Sequence, residues 1–231
     1  MSSGLQMADR KPIRILVTGF GAFPGIRSNP SEQLLRWIGE RRRRLPAHIA
    51  LETALIPATW EATQRFASEQ LARFDPHIAL HFGVHKSCAG FRIETVARNC
   101  ACAHADAHGK RHRPGELIHG APRALRATLG ADKLAARLRA RRHCATTSPS
   151  AGRYLCNMLF YLSLHQSASK ARTRQTGFIH IPPIRSGQSP AGDEKGRIFN
   201  KETLLAGTET IFEHCLTAHR RAGHANKIGI D

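Results

Sequence analysis

Three short runs carry side chains that together could perform nucleophilic acyl transfer. Cys156 stands in Ser150-Ala151-Gly152-Arg153-Tyr154-Leu155-Cys156-Asn157, His180 in Gly177-Phe178-Ile179-His180-Ile181-Pro182, and Glu94 in Ile93-Glu94-Thr95-Val96-Ala97-Arg98-Asn99. A free thiol has a pKa of roughly 8.5 and only its anion attacks an amide carbonyl well, so Cys156 needs a base and a field that favours negative charge. A helix beginning near Gly152 or Arg153 would place Cys156 in its first turns, where unpaired amides and the helix dipole favour an anion. His180 closes an apolar run just before Pro182-Pro183, at what would be the carboxyl edge of a sheet, where ligands usually bind. Glu94, on a further strand, could reach that edge, accept the second imidazole N–H and so set the tautomer. Each residue also has a plain structural role when read singly: Cys156 as a small buried hydrophobe, His180 as a satisfied core residue, Glu94 as a surface charge facing an arginine.

The elements that must position these groups are legible from periodicity and punctuation. Ile13 to Phe20 (IRILVTGF) is apolar and β-branched with glycine and proline after it, a buried strand running into a turn. After Asn29-Pro30-Ser31, the segment SEQLLRWIGERRRR suits a helix capped by Ser31 with arginines in its last turn. His48 to Pro57 reads as a second strand, Ala58 to Phe74 as a helix, Ile78 to Phe82 as a third strand and Ile93 to Ala103 as a further one. His104 to Pro122 is polar with Gly and Pro, a long loop of the kind that borders sites. A helix over Ala131 to Arg142, a short strand over Cys144 to Thr147, a helix over Leu155 to Leu164, a strand over Thr176 to Ile181 and a closing helix over Lys201 to Arg221 follow. The alternation of strand and helix predicts an α/β fold, with helices on both faces of a largely parallel sheet.

Length and composition bound the remaining possibilities. The 231 residues suit one domain, expected over residues 13–222 between a flexible N-terminal tail (1–12) and a C-terminal tail (223–231). The hydrophobic fraction of 41% is ordinary, and no apolar run approaches the roughly 20 residues of a membrane helix. The opening MSSGLQMADRKP is polar and charged where a signal peptide would be apolar, which makes the cytoplasm the expected location. Cys88, Cys100, Cys102, Cys144, Cys156 and Cys215 are too sparse for a disulfide scaffold and are expected as thiols. Cys100 and Cys102 with His104, His108 and His112 match no standard zinc spacing, so no zinc site is expected there. VTGFG lacks the full dinucleotide-binding fingerprint. The formal charge of +18 would attract polyanions, yet the basic residues are scattered and no zinc-finger spacing or RNA-binding aromatic motif accompanies them.

Taken together, Val17-Thr18-Gly19-Phe20-Gly21-Ala22-Phe23 with Asn29-Pro30, and then the three runs quoted above, occur in an order that resembles the pyroglutamyl peptidase I (pyrrolidone-carboxylate peptidase) family of cysteine peptidases, over Val17 to Pro182. The resemblance implies a three-layer α/β/α sandwich and a cofactor-free enzyme that removes an N-terminal pyroglutamyl residue from peptides, often as a homo-oligomer such as a tetramer. It places the family's catalytic Glu, Cys and His on Glu94, Cys156 and His180, and its substrate-pocket phenylalanines on Phe20 and Phe23, an apolar slot for a flat five-membered lactam. Three positions depart from the pattern. Val84 stands where a Gly-Gln step would set a polar group beside the lactam, Thr95 where arginine often follows the Glu, and His85-Lys86-Ser87-Cys88 where small residues are usual. The departure at Val84 implies a lost hydrogen-bond partner, or a shifted specificity. The alternative reading is a repurposed relative whose basic surface binds an acidic partner such as nucleic acid.

Overall fold

In a computed structural model, which describes residues 11–23, 25–26, 28–42, 45–168, 174–184 and 199–228, the chain forms a six-stranded mixed sheet with helices on both faces. The strands are β1 (Ile13–Phe20), β2 (Ile49–Ile56), β3 (Ile78–Val84), β4 (Phe91–Glu94), β7 (Ala145–Ser148) and β8 (Gln175–Ile181), in the order β2-β1-β3-β8-β4-β7. β2, β1, β3 and β8 are mutually parallel; β4 runs antiparallel to β8 and parallel to β7. A separate two-stranded antiparallel ribbon joins β5 (Val96–Arg98) to β6 (Ala124–Arg126).

The helices are α1 (Pro30–Arg41), α2 (Trp60–Arg65), α3 (Leu71–Phe74), α4 (Ala131–Ala140), α5 (Leu155–Ala168) and α6 (Lys201–Ile228), with a π turn at Phe66–Gln70 between α2 and α3. One face of the sheet packs Leu34, Leu35 and Ile38 of α1, Leu134 and Leu138 of α4 and Leu204 and Ile211 of α6 against Ile15, Val17, Leu80 and Ile179. The other face packs Trp60 and Phe66, with Met158, Leu159 and Tyr161 of α5, against Leu16, Phe20, Ala79 and Phe178. A helix apolar all round must be covered all round. α5 meets that demand because the β5–β6 ribbon lies on its outer side, which is why the run Leu155 to Leu164 carries almost no polar face.

Four expectations need correcting. Ser31 does not cap α1: Asn29 does, its Oδ1 accepting from the Ser31 N–H at 3.1 Å, with Pro30 in the first turn. An asparagine at the cap followed by proline satisfies the same geometric preference one step earlier. The strand expected over Ile93 to Ala103 is two strands in two sheets, broken at Thr95, whose N–H and hydroxyl both bond the Ser148 carbonyl. The helix over Ala58 to Phe74 is interrupted by the π turn. The closing helix expected over Lys201 to Arg221 continues to Ile228. Residues 1–10 of the expected N-terminal tail and 229–231 of the C-terminal one lie outside the described residues.

Candidate active site

β1 is followed by α1 on one face of the sheet, and β2 by α2 on the other, so the strand order reverses between β1 and β3. At the carboxyl edge such a reversal opens a crevice that binds ligands in open α/β sheets. Phe20 ends β1 there and Gly83 and Val84 end β3, while His180 and Ile181 end β8. The chain after β1 is anchored to α1: the Ser31 hydroxyl accepts from the Phe20 N–H at 3.0 Å, and Asn29 Nδ2 donates to the Gly21 carbonyl at 3.0 Å. Gly19 permits this, because a Cβ there would lie 2.8 Å from the Ser31 carbonyl oxygen. Phe20 is buried and Phe23 half-buried against the same apolar cluster as Cys156 and Phe178.

Cys156 lies in the first turn of α5, where the first four N–H groups have no partner within the helix and the dipole favours negative charge. The turn into the helix requires a left-handed backbone, supplied by Gly152 at φ +83°. The neighbouring Asn157 locks the helix start in place. It accepts from the Arg98 N–H at 2.8 Å and donates to the carbonyls of Arg98 and Cys100 at 2.8 and 2.9 Å. Asn99 similarly ties the long loop, holding Leu117 and Ile118 through Oδ1 and Ile118 and Ala121 through Nδ2.

The approach of Cys156 to the sheet depends on Gly83. A Cβ at that position would meet the Phe178 ring at 2.9 Å and Cys156 Sγ at 3.1 Å. Gly83 is paired with His180 in the β3–β8 register, so the thiol, the imidazole and the glycine share one face. The His180 ring neighbours the Cys156 thiol, and its Nδ1 lies 2.8 Å from Glu94 Oε1. Burial alone would lower the pKa of His180, but its hydrogen bonds to Cys156 and Glu94, and their charges, outweigh this and hold it up at about 9. By contrast, burial pushes the Cys88 and Cys215 thiols up to about 11 and 12, which marks them as inert.

Glu94 reaches His180 by a route the parallel-sheet picture does not supply. Because β4 is antiparallel, Glu94 pairs with Phe178 and Arg92 pairs with His180. The carboxylate therefore starts two residues inward from the edge and extends diagonally to the ring. This explains its complete burial, at 0% exposure, and leaves Oε2 with no hydrogen-bond partner among the described residues. Val84 pairs with Ile181, and strand alternation sets its side chain on the face opposite Gly83 and His180. The glycine of that step, not the residue after it, carries the steric requirement.

Elsewhere the loop candidates take packing roles. Asp106, 2% exposed, accepts from the backbone N–H groups of Trp60, His108 and Lys110 and pins the long loop to the start of α2. His112 packs on Trp60 with ring centroids 4.8 Å apart. Among the described residues no three His, Cys, Asp or Glu side chains converge in a way that could hold a metal ion, and no helix is long and apolar enough to cross a membrane. His81, flanked by Thr18 and Ser163 at 2.8 and 2.9 Å, is held neutral by burial, its pKa lowered to about 3. The sequence signals for Gly83, Asn99 and Asn157 were present as motif letters, but their jobs depend on contacts made by folding: Asn157 with Arg98 and Cys100, Gly83 with Cys156 and Phe178, and Asn99 with the loop at Leu117 to Ala121.

The chain is similar to several pyrrolidone-carboxylate peptidases. The pyrrolidone-carboxylate peptidase of Pyrococcus furiosus is 33% identical over 178 residues, covering 74% of this chain and 82% of that protein. That of Thermococcus onnurineus is 30% identical over 210 residues, covering 89% and 100%. A crystal structure of the pyrrolidone carboxyl peptidase of Pyrococcus furiosus superimposes with a TM-score of 0.78 at 29% identity, covering 89% of this chain and 99% of that one. The sequence profile described as pyroglutamyl peptidase matches residues 13–208, and by that match, on a fold of the same kind, the chain belongs to the pyroglutamyl peptidase family of cysteine peptidases.

Proposed function

We propose that this chain hydrolyses the bond after an N-terminal pyroglutamyl residue of peptides, with Cys156 as nucleophile, His180 as acid and base, and Glu94 as the group that orients His180. Family membership supplies the reaction class. The observation that carries the residue assignment is the line from the Cys156 thiol through His180 to the fully buried Glu94 carboxylate, at the carboxyl edge beside Phe20.

The lactam ring lies against Phe20 and Phe23, which bury a flat ring at small entropy cost. Cys156 Sγ attacks the scissile carbonyl carbon, and the negative charge on its oxygen faces the unpaired N–H groups of the first turn of α5. His180 gives its proton to the departing amine nitrogen, the C–N bond breaks, and a pyroglutamyl thioester on Cys156 remains. Water then attacks the thioester as His180 takes its proton, and pyroglutamate leaves with the thiolate restored. Glu94 keeps Nδ1–H engaged, so Nε2 is the nitrogen that exchanges protons. The chain acts on peptides in the cytoplasm and assembles as a homo-oligomer in the same reading.

Hydrolysis of a pyroglutamyl fluorogenic amide tests it. Wild type is expected to turn over and to be inactivated by iodoacetamide, while Cys156→Ala and Cys156→Ser fold normally with activity reduced by at least about three orders of magnitude. Turnover near the wild-type level in a folded Cys156→Ala would overturn the assignment.

A further inference from the structure

His85, Lys86 and Ser87 depart from the family pattern and take no part in the chemistry above. They form the turn from β3 to β4, and because β4 runs antiparallel to β8 this turn lies over the carboxyl edge, at the mouth of the crevice. The His85 N–H donates to the Ile181 carbonyl at 2.9 Å, and the ring stands 5.3 Å from that of His180, edge to face. Arg92, paired with His180 in the register, directs Nη1 onto His85 Nε2 at 3.3 Å. On the other side Lys86 Nζ reaches the loop after β1, where a Cβ on Gly25 would meet it at 3.3 Å, two residues from Phe23. A basic rim thus runs from beside His180 to beside Phe23.

No carboxylate offsets this rim among the described residues. Neither Lys86 nor Arg92 takes part in any ion pair found there, and Glu94 is committed to His180. Lys86 is exposed and Arg92 half-buried. On the reading that the lactam sits at Phe20 and Phe23, the departing amine must lie within reach of His180. The side chain following pyroglutamate therefore projects past His180, toward Arg92 and His85. We infer that this rim selects substrates in which the residue after pyroglutamate is acidic, Asp or Glu, with Arg92 as the nearer cation and Lys86 adding to the field. A half-exposed charge at close range discriminates by attraction of one sign and repulsion of the other.

Three amidated tripeptides identical except for the residue after pyroglutamate (Glu, Gln or Lys, followed by alanine amide) test the inference by kcat/KM. The Glu peptide is expected to exceed the Gln peptide by about three- to tenfold, with the Lys peptide lowest. The Glu-to-Gln ratio should shrink in about 1 M salt, where the Debye length is about 3 Å. It should also fall toward one in Arg92→Gln and in Lys86→Gln, the latter a surface change that leaves packing intact. Equal values for all three peptides in wild type, or a ratio that survives in the double variant and in salt, overturn the inference while leaving the peptidase reading in place. Failure to cleave any of the three overturns the peptidase reading itself and this inference with it.

Discussion

Gly83→Ala isolates the steric requirement at the centre of the site. The added methyl carbon would stand 2.9 Å from Phe178 Cζ and 3.1 Å from Cys156 Sγ, where ordinary contacts are about 3.5–4.0 Å. Phe178 is fully buried and packed against His81, Phe160 and His180, so it cannot turn away without disturbing them. Cys156 is held by the Asn157 clamp one residue later. Both neighbours must give by several tenths of an ångström, and overpacking of this size costs about 1 to 3 kcal/mol. For a domain of this length that corresponds to a fall in Tm of about 2 to 10 °C. Displacing a nucleophile by about half an ångström against its base is expected to lower kcat/KM about 10- to 100-fold. The assays are hydrolysis of a pyroglutamyl fluorogenic amide, a melting curve, and the rate of Cys156 alkylation, which reports thiolate directly. Repeating Gly83→Ala in the Cys156→Ala background should recover part of the stability loss, because the Sγ contact is gone. Activity within about twofold of wild type, at unchanged Tm, would show that the thiol does not sit against Gly83 and would refute the packing argument.

Glu94→Gln should keep an acceptor for His180 Nδ1 and remove the charge, lowering kcat by roughly a hundred- to ten-thousand-fold with little change in KM; unchanged steady-state kinetics in folded protein would make Glu94 merely structural. The His180 pKa is raised in the folded protein to about 9, so the stability it contributes is fully present below its ordinary value near 6.5 and disappears as pH rises through about 9. Tm and kcat should therefore both decline on the alkaline side around pH 9, and the decline should move to lower pH in Glu94→Gln, where one cause of the raised value is gone; an alkaline limb that does not move counts against the pairing. Val84→Gln, whose side chain alternates to the opposite face, should alter kcat/KM on pyroglutamyl substrates by less than about twofold; a gain approaching tenfold would place that side chain at the lactam after all.

The alternation of β and α segments, the strand over Ile13–Phe20 and the helix that carries Cys156 were legible from the sequence, because a buried strand and a helix covered on all sides leave local signatures in the spacing of apolar residues. Cys156, His180 and Glu94 came forward as candidates only through the order of the runs that resemble the family, since each alone also reads as a structural residue. Local pattern carries no record of strand direction, however, and direction decided how the site is built. Only the antiparallel setting of β4 opposes Glu94 to Phe178, buries it completely and makes it reach His180 diagonally, while bringing Arg92 beside His180 and the His85–Ser87 turn over the crevice. Register, likewise a nonlocal property, set Val84 on the face opposite Gly83 and left the missing side chain of Gly83 as the space beside Cys156 Sγ. Composition chose the residues; pairing between segments distant along the chain determined which of them meet.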